Sequence, residues 1–189
     1  MTVAMILIGG ATYGTHLKMS KQLTRWIIHF TTPAMLLTNF IYLLSLIVWI
    51  GSIVFFSFVT APSLFKGLPL DIAGQAVASI FPKYYMVGYV SGFTAFATLI
   101  YNSAKTSIWS PLKMFILLVR IGMTLFAGLN IHPRARTIKE EIKLASDETE
   151  AAHLKQEFDR VHKLSVIFNG IVLLIGLLLV LLTAKTLTL

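Results

Sequence analysis

The chain has no cysteine among its 189 residues, which excludes disulfides, thiolate metal sites and thiol nucleophiles. It is also short of charge. Asp, Glu, Lys and Arg make up 13% of the residues, where soluble domains carry about 25%. Acidic side chains are the scarcer sign, eight against sixteen basic ones, and none of the eight falls inside a long apolar run. The chain therefore has no carboxylate relay with which to move protons through a membrane. No phosphate-cradling glycine loop, HExxH or GxSxG is present either, so no recognised catalytic constellation is legible.

What the chain does have is apolar length. Hydrophobic residues account for 56% of it, and an integral membrane protein of one domain is the class that such a composition indicates. The net charge of +8 lies mainly in segments flanking the apolar runs, not in a basic stripe with interleaved aromatics. The lipid bilayer is therefore the expected partner, and nucleic acid is not.

A helix needs about 20 apolar residues to cross the hydrocarbon, where unpaired backbone groups are too costly to leave exposed. Four windows qualify: Met35 to Val59, Pro82 to Tyr101, Leu112 to Ile131 and Leu164 to Ala184. The first is expected to stop at Ala61-Pro62, the second to hold Tyr84 and Tyr85 at the membrane interface, and the third to open with Pro111 and be followed by Pro133. The predicted fold is all-α, an integral membrane four-helix bundle over residues 35–184. Residues 1–34 are expected to form a leader and a basic interfacial segment from Lys18 to Pro33, with Trp26 and Phe30 at headgroup depth.

Between spans three and four, Arg134 to Lys163 is highly charged yet free of Gly and Pro. Ser146 and Asp147 offer helix-capping chemistry, with Glu148 and Glu150 in the next turn. These features predict a charged helical hairpin outside the membrane, turning near Ala145 to Asp147. Counting Lys and Arg alone, the hairpin side holds nine and the opposite side six, which places the hairpin in the cytoplasm of a bacterial-type inner membrane. Seven acidic residues, however, offset the hairpin's seven basic ones.

Polar residues at membrane depth are the candidate functional groups. Arg120 sits near the middle of span three, where a charge costs at least about 2.5 kcal/mol on insertion scales. It has no carboxylate at its level, so it either snorkels, binds helix carbonyls and hydroxyls, or holds the anionic group of a ligand or lipid. In span one, Ser45, Trp49 and Ser52 share a face beside Gly51. In span four and the helix before it, Phe158, His162, Ser165 and Asn169 fall at i, i+4, i+7 and i+11. His132 closes span three and His162 opens span four, with Asn130 and Asn169 further in. Such a histidine pair suits a metal ion or haem iron, or else caps interfacial carbonyls. Gly88 and Gly92, with Ser91 and Ala95, make small-residue faces for helix packing or for a homo-oligomer contact.

Three stretches carry a resemblance: "VWIGSIVFFSFVTAPSLF" (Val48 to Phe65), "FPKYYMVGY" (Phe81 to Tyr89) and "FDRVHKLSVIFN" (Phe158 to Asn169). They look like the signatures of the transmembrane protein 205-like family, a membrane family without an assigned activity. The resemblance implies four membrane helices and draws attention to Trp49, Gly51, Pro62, Phe65, Phe158, His162, Ser165 and Asn169. More distantly it is similar to CopD-type copper-resistance and HemJ-type haem-pathway membrane proteins. Those relatives often carry a histidine about two turns before the W-x-G; Tyr42 stands there in this chain, with Asn39 nearby. A non-enzymatic protein that handles a small ligand or metal, or serves a membrane complex, is the leading expectation. A haem-binding redox or porphyrin-pathway protein using His132, His162 and Arg120 is the alternative.

Overall fold

The computed structural model describes residues 33–187. The leader expected over residues 1–34, including the interfacial segment with Trp26 and Phe30, lies almost wholly outside them. The described residues are nearly all helical and contain no strand. Four long helices follow one another: α1 (Pro33–Gly67), α2 (Leu70–Thr106), α3 (Pro111–Leu144) and α4 (Glu148–Leu187). By length and composition α1, α3 and α4 are apolar enough to cross a membrane, and on that ground the chain is a membrane protein. Helix α2 is long enough to span but falls short of that apolarity, because it carries tyrosines, serines and threonines along its length.

The helices meet along narrow seams of small and large residues at helical spacing. Leu46, Trp49, Ile53 and Phe56 of α1 are buried, as are Gly88, Ser91, Gly92 and Ala95 of α2. Leu117, Ile121 and Thr124 line the inner face of α3, and Val172, Leu179 and Thr183 that of α4. The outward faces carry Phe40, Ile47, Phe58, Phe93, Leu118 and Leu174, all exposed. Apolar surface this continuous is what hydrocarbon, not water, covers.

Several boundaries differ from the sequence expectation. Pro62 does not end α1. The helix widens into a π turn over Phe56–Thr60, where Ala61 N–H reaches back five residues to the Phe56 carbonyl, and then runs on to Gly67. In α3 the same device precedes the second proline: a π turn over Ala127–Ile131, with His132 N–H on the Ala127 carbonyl, leads into Pro133 without a break. A widened turn gives the proline ring room against the preceding coil and removes a demand for the N–H that proline lacks. Helix α2 starts at Leu70, not near Pro82, which lies inside it. It ends at Ser107, whose left-handed φ of 57° turns the chain.

Tyr84 and Tyr85, expected at the membrane interface, are packed inside the protein, 9% and 3% exposed. Each contributes a ring to a cluster with Phe56, Phe81 and His132, centroids 5.0–6.1 Å apart. This cluster packs α1, α2 and α3 together at the level of both π turns.

Past the apolar stretches, α3 and α4 continue side by side. Arg134 donates to Glu157, and Ile138 is fully buried. The chain turns at Ala145–Asp147, and α4 begins with a reciprocal cap. Glu150 N–H donates to the Asp147 carboxylate at 2.7 Å, while the Glu150 carboxylate accepts from Ser146 N–H at 2.8 Å. One orphan donor of the helix start, the Glu150 N–H, is satisfied in this way, and the return bond ties down Ser146 just before the cap.

Candidate functional site

A cation lies buried where α1, α3 and α4 meet. Arg120 on α3 is 0% exposed, a rare state for a side chain that retains its charge. Its guanidinium carbon lies 3.8 Å from the centroid of the Trp49 ring on α1, where the negative face of the indole attracts it. Its Nε donates to the Val172 carbonyl of α4 at 3.1 Å. The space for it exists because residue 176 is glycine. A Cβ there would lie 2.6 Å from one terminal nitrogen and 2.7 Å from the guanidinium carbon.

Those three contacts leave the cation under-satisfied. Nη1 and Nη2 are buried and have no hydrogen-bond partner among the described residues. A buried donor without a partner costs about 1–3 kcal/mol, and more when it is charged. The sequence puts no Asp or Glu in the four expected spans, so no carboxylate stands at this depth to answer the charge.

A small void of about 10 Å³, the room of about one water, shares walls with the guanidinium, although Arg120 itself does not line it. Trp49 and Val172, the two residues that hold Arg120, are part of its wall, together with Ser52, Tyr84, Gly88, Thr124 and Asn169. Tyr84 donates to Asn169 Oδ1 at 3.0 Å across α2 and α4. Thr124 donates to the Arg120 carbonyl at 2.9 Å, and Ser52 to the Trp49 carbonyl at 2.8 Å, so both hydroxyl protons are spent within their own helices. Tyr85 also lines the void; its hydroxyl, which Ser165 approaches, is buried without a hydrogen bond of ordinary geometry.

The residues singled out from the sequence divide into two groups. Trp49 and Asn169 line the void, Arg120 is held by Trp49 and Val172 of its wall, and Ser165 approaches Tyr85. Ser45 is buried but donates to its own helix at the Ile41 carbonyl. Asn130 faces outward and is exposed. His162 is exposed and stacks on Phe158, centroids 6.1 Å apart. His132 lies instead against Phe81 and Tyr85. The i, i+4, i+7, i+11 line thus splits, with its inner half meeting the α2 tyrosines and its outer half turned away.

The two histidines therefore sit in different surroundings, and among the described residues no group of three or more His, Asp or Glu side chains could hold a metal.

Tyr84, Tyr85, Thr124 and Gly176 were missed as site residues. The signal for Gly176 was there in principle, since it lies seven residues after Asn169 on the same face of α4. The small residues of α2 were read as free for helix packing. A Cβ at Gly92 would come within 2.9–3.0 Å of Trp49 and Ile121, and one at Gly88 within 3.1–3.2 Å of Thr124 and Trp49. That face is consumed within the chain, by the tryptophan that carries the arginine.

A family model described as a domain of unknown function, DUF4149, matches residues 44–143, just over half of the 189. The chain belongs to the DUF4149 family. The matched stretch includes Trp49, both tyrosines, Arg120 and Thr124, and it stops before Asn169, Val172 and Gly176. Three sides of this DUF4149 site are therefore family territory, and the α4 side lies beyond the match. No curated protein and no solved structure matches the chain.

Proposed function

We propose that this DUF4149 chain is a multi-pass membrane protein of the transmembrane protein 205-like type that handles a small anionic ligand at Arg120. All four helices cross the membrane in this reading, α2 by turning its polar residues toward the bundle. The continued pair of α3 and α4 is a charged hairpin outside the bilayer, on the cytoplasmic side of a bacterial-type inner membrane. The activity is read as non-enzymatic, because the hydroxyls near Arg120 have no general base beside them to activate one as a nucleophile.

One observation carries the reading: a fully buried guanidinium with two nitrogens lacking partners and no carboxylate at its depth. A protein that needed only packing there would be served as well by Met or Leu, which cost far less in hydrocarbon. Asn130 and His162 are exposed and His132 packs on Phe81 and Tyr85; none of the three is assigned a part in this reading.

The test is direct. Wild-type protein and Arg120→Gln are purified from native membranes, denatured, and the released species analysed by mass spectrometry and ion chromatography. About one equivalent of a retained anion is expected from the wild type and none from the variant. Equal amounts from both, or none from either, would defeat the reading.

A further inference from the structure

We infer that the corner where α1 turns into α2 is a lipid-binding surface, seated in the headgroup and upper acyl layer of the leaflet on the hairpin side. The inference rests on the four-span seating proposed above and is independent of what Arg120 holds.

A mismatch of length is the first observation. From Pro33 to Phe65, α1 carries no Asp, Glu, Lys or Arg, and at about 1.5 Å per residue that run is about 50 Å long. The matching run of α4, Leu164 to Ala184, is about 30 Å long, which is the thickness of the hydrocarbon core.

Contacts between helices put the excess at one end. Away from the hairpin the helices are level: Asn102 of α2 donates to Asn39 at 2.8 Å, and the Tyr42 hydroxyl lies 3.4 Å from that of Thr183 on α4. Toward the hairpin, Phe56 packs on Phe81, Phe81 packs on His132, and Ser165 approaches Tyr85. Around that level the other helices turn charged, with Lys83 on α2, Arg134 on α3 and Lys163 on α4. Helix α1 instead runs on to Gly67, and its first charge, Lys66, comes about 15 Å beyond Phe56.

The second observation is what this overhang presents outward. Phe58, Val59 and Phe65 of α1, Leu68 in the turn, and Leu70 and Ile72 of α2 are all exposed. Its other side is covered: Ala73 is fully buried, and the Lys139 side chain of α3 lies against Gly74. Leaving a large apolar side chain in water forfeits about 1.5–3 kcal/mol. Along α1 the exposed line Phe55, Phe58, Val59, Pro62 and Phe65 continues the face turned to hydrocarbon, with no charge between the two. That continuity points to lipid and not to a protein partner. Lys66 and Lys83, both exposed, suit anionic headgroups beside it; Asp71 is the one carboxylate at the corner.

The bilayer reaches far enough. A tilt of about 20° across helices about 10 Å apart lowers the α1 side by about 4 Å. The headgroup layer adds about 5–7 Å beyond the hydrocarbon, and the Lys66 stem snorkels across the remainder.

The lack of cysteine makes the corner addressable. Leu70→Cys and, as control, Leu144→Cys at the hairpin turn each receive a nitrobenzoxadiazole label. These positions are 76% and 82% exposed, so exposure alone treats them alike. The full chain is reconstituted in phosphatidylcholine–phosphatidylglycerol vesicles at high and low protein-to-lipid ratio, with iodide on both sides. The label at residue 70 should emit at shorter wavelength, be quenched by lipid bearing a doxyl group high on its acyl chain, and lose most of its iodide quenching. The label at residue 144 should show the reverse.

Equal iodide quenching at both positions would put the corner in water and overturn the inference. Shielding from iodide without doxyl quenching would overturn it too, in favour of a protein cover, a second copy if dilution into lipid removes the shielding. Should Leu70→Cys lose its helical circular dichroism, Phe65→Cys decides by the same readings. Ser110→Cys and Ser146→Cys labelled from one side would remove the four-span seating and the inference with it. An iodide-quenched corner with those two on opposite sides would defeat the inference alone.

Discussion

The guanidinium of Arg120 rests on the ring of Trp49, 3.8 Å from its centroid, and this contact joins α1 to α3 in the middle of the bundle. Each residue explains an oddity of the other. The tryptophan is too deep for an interfacial belt, where such rings usually sit, and the arginine is too deep to reach water. Together they form a desolvated cation–π pair, worth about 2 kcal/mol or more where solvent is excluded. Trp49→Ala should destabilise the protein by about 3–5 kcal/mol, and Arg120→Met should cost much less or nothing. The double variant should show a coupling of about 1–2 kcal/mol in denaturant unfolding. A coupling of zero would mean that the two side chains are neighbours without interaction.

Glycines on α4 should behave in opposite ways. Gly176→Ala drives a methyl into the guanidinium, and overpacking of this kind costs about 1–3 kcal/mol. Gly170→Ala has open space at its Cβ and should gain up to about 1 kcal/mol from helix propensity. Thermal unfolding of the two variants in the same detergent distinguishes them, and equal shifts would contradict the placement of Arg120 against Gly176.

Gly92→Leu, on α2, should prevent folding of the single chain. Its side chain would have to displace Trp49 and Ile121, which leave no room even for a methyl. Loss of helical circular dichroism and aggregation during purification are expected. A well-folded variant changed only in oligomeric state would show that this face packs against a second copy instead.

The turn between α3 and α4 depends on Asp147 and Glu150. Asp147→Ala removes the acceptor of the Glu150 N–H bond and should cost about 0.5–2 kcal/mol. The loss is local, so hydrogen exchange at Glu148 to Ala151 should accelerate while exchange in the apolar part of α4 stays unchanged.

Topology can be read chemically because the chain has no cysteine of its own. With four spans, Ser146→Cys at the α3–α4 turn and Ser110→Cys between α2 and α3 lie on opposite sides. An impermeant maleimide added to intact cells should label the second and spare the first. Labelling of Ser146→Cys from outside would reverse the orientation, and labelling of both would remove one span.

The apolar runs announced α1, α3 and α4, and the Asp147 cap was legible as a short-range pattern. The helix ends at Pro62 and Pro133 were less so. Proline normally stops a helix, and the π turns that carry each helix past it depend on packing around Phe56 and Ala127, which no local rule reveals. Tyr84 and Tyr85 followed the same logic. At a span end a tyrosine belongs to the interface unless α2 begins twelve residues earlier, as it does, and its aromatic face is needed against Phe81 and His132.

Composition and order along the chain by themselves determined the membrane setting, the number of long helices, the turn before α4 and the presence of a cation with no carboxylate at its depth. These are properties of single segments, written in the length of apolar runs and the position of charges. Only the tertiary structure decided that Arg120 would meet Trp49, the Val172 carbonyl and the gap at Gly176, and that Asn130 and His162 would face outward while His132 packs on Tyr85. Four helices with similar small-and-large spacing can pack in many rotations. Which faces meet is settled by the combined fit of Gly88, Gly92 and Gly176 around one indole and one guanidinium.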